Sequence, residues 1–212
     1  PFMPLFKTIL HDSKTEILVW KITETFEQLL SEVKLNERSK ARFAGMKSVS
    51  HQCGFLSVRK LLQEKGYTDF DLYYDEFGKP HLHDGRHISI SHSHEFSTII
   101  LSDQNCGIDL EMQKEKIITI AHKFAEHEFE FLKDVSEKNY IRQLTVIWGA
   151  KEAVFKIRNE VGISFKDHIH VAPFSIEMMQ SVALLMFGSL NIKYNIFFEE
   201  VEHFTLVYAF QQ

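Results

Sequence analysis

Gly107-Ile108-Asp109-Leu110-Glu111 stands at the middle of a 212-residue chain, between short strand-like runs and a helical stretch, and its reading decides the fold. Apolar and acidic residues alternate along it. Strand side chains point to opposite faces in turn, so Asp109 and Glu111 share one face while Ile108 and Leu110 point into a core. Upstream, residues 71–74, 87–91 and 96–101 have the same β-rich texture, with a turn at Glu76-Phe77-Gly78-Lys79-Pro80. Together with 107–111 they are predicted as adjacent strands of one sheet. Before them, residues 6–10 and 16–22 read as strands, and 25–64 as one long helix or two consecutive ones, with Phe55, Val58, Leu61 and Leu62 at helical spacing and Gly66 as a stop. Downstream, 117–132 is weakly and 138–158 strongly helical, and 182–187, 191–199 and 203–210 form an antiparallel set. The order β, α, βββ thus occurs before about residue 105 and again after it. The expected fold is α+β, with two similar halves at 1–105 and 106–212.

Composition narrows the function classes. Hydrophobic residues make up 44% of the chain and charged residues 25%, so it has the makings of a folded core rather than a disordered tail. The net charge of −5 argues against a protein that coats nucleic acid. Lys34, Arg38, Lys40, Arg42 and Lys47 form a local basic run, which a solvated helix face also explains. No apolar run approaches the roughly 20 residues of a membrane helix. The first residues lack the pattern of a secretory signal, and two cysteines, Cys53 and Cys106, are too few for a disulfide framework. A cytoplasmic address is the expectation.

Four stretches carry chemistry. Asp109 and Glu111 place two carboxylates in one small volume, where they repel unless protons or a cation compensate, and a hard divalent metal is the usual remedy. An edge strand with one solvated face gives the same alternation. In Trp148-Gly149-Ala150-Lys151-Glu152-Ala153-Val154-Phe155-Lys156, residues 148, 152 and 156 stack along one helix face. The plain alternative is a surface Glu–Lys pair. Ile88-Ser89-Ile90-Ser91-His92-Ser93-His94 ends a strand near His92, which can meet a phosphate. No HExxH helix or paired cysteines support zinc there, and no G-x-S-x-G elbow supports a serine hydrolase. The fourth, Phe77-Gly78-Lys79-Pro80-His81-Leu82, is by itself a turn signal that can hold a lysine at a pocket mouth.

Taken in order, FGKPHL, ISISHS, GIDLE and WGAKEAVFK resemble the 4′-phosphopantetheinyl transferases of the Sfp type, in the Sfp/holo-acyl-carrier-protein synthase superfamily. The resemblance spans roughly Lys47 to Lys156. It implies a pseudo-duplicated α+β fold with the active site at the interface of the halves, and a monomer that completes its own site. Asp109, Glu111 and Glu152 would be magnesium ligands, and Lys156 would touch the phosphates of coenzyme A. His92, with Ser91 beside it, resembles the contact to the pyrophosphate and 3′-phosphate end, and Lys79 the lysine lining the nucleotide pocket. A basic residue ahead of the long helix would hold the 3′-phosphate, with Lys47 chosen over Arg42. The implied reaction carries 4′-phosphopantetheine from coenzyme A to a serine of an apo acyl or peptidyl carrier protein, releasing 3′,5′-ADP. Glu152 is the first candidate for the base that takes the serine proton and Glu128 the second. The competing reading is a protein that binds coenzyme A or another nucleotide without transfer.

Overall fold

A computed structural model of the protein describes residues 5–133 and 135–212. The chain divides into two compact units, the first ending at Gln104 and the second running Asn105–Gln212. The mixed architecture is the α+β class that the sequence predicts.

In the first unit, strands β1 (Leu5–Leu10) and β2 (Glu16–Lys21) pair antiparallel. Helices α1 (Phe26–Glu32), α2 (Glu37–Ala44) and α3 (Val49–Gln63) follow. The sequence suggested one or two helices here. Three form because Thr25, Asn36 and Ser48 each cap a new N-terminus with a side-chain oxygen, ending continuity that propensity alone would favour. Next come β3 (Leu72–Tyr74), β4 (Pro80–Leu82), β5 (His87–Ser93) and β6 (Phe96–Ser102). Among the described residues the sheet order is β1-β2-β6-β5, with β3-β4 as a separate ribbon. Helix α3 buries Val58, Leu61 and Leu62 against Leu18, Trp20, Ile88, Ile99 and Leu101 of the sheet. Its Arg59, 2% exposed, is fixed by Asp69 at 2.9 Å.

The second unit begins with β7 (Cys106–Met112). A single helical turn, α4 (Lys116–Ile120), gives way to 3₁₀ turns at Ala121–Lys123 and His127–Glu130. The weak helix expected over 117–132 is therefore broken up. Its physical reason is Glu128, whose carboxylate turns inward and accepts backbone N–H groups of Glu126 and Val171 instead of facing solvent on a helix. Helix α5 (Glu137–Arg158) starts at its Ser136 cap and ends on Asn159 in the left-handed region, φ 49°. After the short α6 (Phe165–His168) come β8 (Ile169–Val171), β9 (Gln180–Phe187), β10 (Leu190–Val201) and β11 (Phe204–Gln211). All pairings are antiparallel, in the order β7-β11-β10-β9-β8. Residues Leu144, Ile147, Ala150 and Val154 of α5 pack on Ala183, Leu185, Ile196 and Val207 of this sheet.

The single sheet expected across 71–111 does not form. β6 already has β2 on one side and β5 on the other, so β7 cannot lie beside it, and β7 pairs with β11 instead. The sheets do not establish a duplication either, since one has four strands and the other five, in different orders.

Backbone contact between β7 and α5 sets the site. A Cβ at Gly107 would lie 1.9 Å from the carbonyl oxygen of Ala153; on the β11 side of the same helix, one at Gly149 would lie 2.6 Å from Cγ2 of Val207. Strand and helix meet with no side chain between them, which brings the residues on their facing sides together. Gly107→Ala is expected to cost about 2–3 kcal/mol, because the methyl meets backbone rather than a movable side chain. A urea melt of this variant that overlays wild type would contradict the close approach.

Candidate active site

On β7, residues 107, 109 and 111 face α5, while Ile108 and Leu110 are buried on the opposite face at 0% and 1% exposure. The alternation anticipated from the sequence therefore holds, with the carboxylates turned toward the long helix rather than to open water. Asp109 is 4% exposed. Lys156 of α5 donates from Nζ to Asp109 Oδ1 at 2.8 Å and to the carbonyl of Ile108 at 2.8 Å. Its ion partner is thus the strand aspartate. Trp148, one turn before Glu152 on the same face, packs edge-on against Phe124 at 5.1 Å. The Trp148-Glu152-Lys156 stripe is half-buried, not a solvated surface row.

The electrostatics show a shortage of positive charge. Burial, then the neighbouring Asp109, pushes the Glu111 carboxyl up to about 7. Burial, then Asp109 again, raises Glu152 to about 6. Lys156 opposes both shifts without cancelling them. Three carboxylates share one ammonium, a donor set of hard oxygens that suits magnesium or a similar ion. Among the described residues, the oxygens of Asp109, Glu111 and Glu152 do not all lie within 4.8 Å of one another. The three carboxylates thus lie near one another without closing into a ligand cage.

A pH dependence follows from these shifts. Both glutamates have folded values above 4.5, so their contribution to stability is fully present below about pH 4.5 and is lost as pH rises through about 6 and 7. Metal-free protein is expected to lose stability between pH 5 and 8, and Glu111→Gln to flatten that slope. Equal slopes for variant and wild type in chemical denaturation would refute the assignment.

Glu128 is not available as a base. Its side chain is fully buried and lies 2.7 Å from the equally buried Lys151. Burial alone would raise its carboxyl, but Lys151 beside it holds it below the usual range. Lys151 also donates to the carbonyls of Phe124 at 2.7 Å and Phe165 at 3.0 Å. Adjacent in sequence, Lys151 and Glu152 thus have different tasks, the first inside the core and the second at the site.

The remaining candidates lie in the first unit. Ser91, 9% exposed, and the half-buried His92 stand opposite Thr98 and Ser97 near the end of β5. Lys79 sits in the turn between β3 and β4, its N–H donating to Asp75 Oδ1 at 2.9 Å. Lys47 is exposed, immediately before the Ser48 cap of α3. Arg42, the other basic residue considered, lies with its guanidinium 4.7 Å over the Tyr74 ring. Two glycines escaped the sequence reading, Gly149 within α5 and Gly54 within α3; a glycine in the interior of a strong helix is the signal that marks both.

Residues 105–190, which contain Asp109, Glu111, Glu152 and Lys156, match the 4′-phosphopantetheinyl transferase superfamily. The superfamily resembled by the sequence motifs is the one matched. A curated relative, 4′-phosphopantetheinyl transferase gsp of Aneurinibacillus migulanus, is 31% identical over 107 residues, which is 49% of this chain and 45% of that protein. The match thus spans less than half the length of this relative. Among the described residues no helix is long and apolar enough to cross a membrane.

Proposed function

We propose that this protein is a 4′-phosphopantetheinyl transferase of the Sfp type, moving the phosphopantetheine arm of coenzyme A to a serine of an apo acyl or peptidyl carrier protein and releasing 3′,5′-ADP. The observation that carries this reading is the cluster of Asp109, Glu111 and Glu152 with Lys156, short of positive charge and lying inside the segment that matches the superfamily. Asp109, Glu111 and Glu152 would hold magnesium. When bound, magnesium would supply charge neutralisation to the pyrophosphate and help align it for displacement.

The chain's own residues account for the rest. Lys156 is held by Asp109 and the Ile108 carbonyl, so its ammonium is fixed in advance and would meet developing phosphate charge without reorganising. Glu152, half-buried on the same helix face as Lys156, is the candidate base. The serine oxygen forms the new bond to the phosphorus bearing pantetheine, the bond from that phosphorus to the ADP oxygen breaks, and the hydroxyl proton passes to Glu152. Contacts to the nucleotide end are assigned to Lys79, Ser91 and His92, and the 3′-phosphate to Lys47.

Incubation with coenzyme A, magnesium and a panel of apo carriers tests the reading. Intact mass spectrometry should find one phosphopantetheine added to a carrier, with 3′,5′-ADP released. Coenzyme A binding without mass gain on any carrier would leave a non-catalytic binder, and release of inorganic phosphate would indicate a different phosphotransferase.

A further inference from the structure

His92 lies against helix α3 at the one position of that face which has no side chain. A Cβ built on Gly54 would fall 2.8 Å from Nδ1 of His92, 3.0 Å from Cγ and 3.3 Å from Cε1. The imidazole therefore rests on the bare Cα, with its Nδ1 edge toward the helix and its Nε2 edge farther off. The ring also meets His51, from the first turn of α3, at a centroid distance of 5.2 Å and a tilt of 42°. We infer that Gly54 is a positioning residue for His92: its missing side chain, with His51 as a second wall, sets where the imidazole meets the phosphates of coenzyme A. The inference rests on the proposed role of His92 as a coenzyme A contact.

A methyl group at 54 has to move the ring because the backbone around it is tied. The Ser57 hydroxyl, one turn farther along α3, donates to the carbonyl of Gly54 at 2.9 Å. The same hydroxyl shares a 2.9 Å hydrogen bond with Ser97. Ser97 is the residue directly opposite His92 in the β5–β6 ladder. Helix and strand pair are thus pinned at the level of the imidazole, through groups that are 0% exposed at both serines. The ring is the end of a side chain with two rotatable bonds, so rotation of His92 is the cheapest relief. Alanine is a better helix former than glycine, so the substitution does not weaken α3 itself.

The test is a double-mutant cycle on Gly54→Ala and His92→Ala, read by calorimetric binding of coenzyme A and by KM and kcat with a responsive carrier. Gly54→Ala should weaken coenzyme A binding and raise its KM by about tenfold with kcat little changed, as expected when a hydrogen bond to a charged group is lost. His92→Ala should do the same. In the double variant the methyl has room, so its affinity should equal that of His92→Ala alone. Wild-type affinity in Gly54→Ala, with His92→Ala weakened, overturns the inference and leaves the role of His92 standing. A further loss in the double variant also overturns it, because the methyl would then act on something other than the ring. Unchanged affinity in His92→Ala removes both the role and the inference, whereas loss of transfer activity alone would not alter the binding comparison.

Discussion

Asp109→Ala is expected to lower carrier modification by about 10³-fold or more while leaving the fold intact. Asp109 anchors Lys156 and raises both glutamates, so removing it alters the whole set together. Without it, Glu111 and Glu152 lose a like charge, and both should titrate lower. Lys156 keeps the Ile108 carbonyl but loses its carboxylate. The unit has little reason to unfold, because the substitution relieves repulsion while leaving the α5 core in place. Asp109→Asn separates the causes, since it preserves shape and removes charge. Circular dichroism and urea midpoints near wild type, with carrier mass unchanged after coenzyme A and magnesium, are the expected results. Near-normal turnover in either variant would contradict the proposed metal role.

The second large effect concerns stability. Lys151→Met is expected to cost about 3–5 kcal/mol, because it leaves the Glu128 carboxylate buried without its cation. Both side chains are 0% exposed, so bulk solvent does not screen the stranded charge. Glu128→Leu should cost as much, stranding an ammonium against the carbonyls of Phe124 and Phe165. The double variant should recover part of the loss and not all of it, since Glu128 also accepts the N–H of Val171 at 2.9 Å and so holds β8. Glu128 has a lowered folded value, so its contribution is present above about pH 4.5 and fades as pH falls through the folded value. The Lys151→Met penalty should accordingly shrink in acid. Additive losses in the double variant, measured by urea unfolding, would show that the two groups do not form one unit.

Much of the fold was legible because burial imposes a period. β2, β5, β6 and β9 to β11 showed in alternation or β-branched content, and α5 in its length and spacing. What escaped depended on contacts distant in the chain. β7 went to the second sheet because β6 had no vacant edge, which is a property of topology rather than of residues 107–111. Capping by Asn36 and Ser48 divided a stretch that propensity reads as continuous. At the site, the shared face of Asp109 and Glu111 followed from strand geometry, and the stripe through Glu152 and Lys156 from helical geometry. The partner of Lys156, 47 residues away across two elements, had no local signature. Neither did the burial of Glu128, whose acidic character alone suggested solvent or catalysis.

Glycine contact at the β7–α5 seam has a bearing on how the acidic cluster moves. Its side chains are borne by a hydrogen-bonded strand and by a 22-residue helix, not by loops. Amide protons of residues 108–110 and 150–154 should therefore exchange with deuterated solvent only through opening of the second unit as a whole. Adjustment to a ligand is then expected to fall to side-chain rotation and to the short segments flanking α4, over a scaffold held by strand and helix.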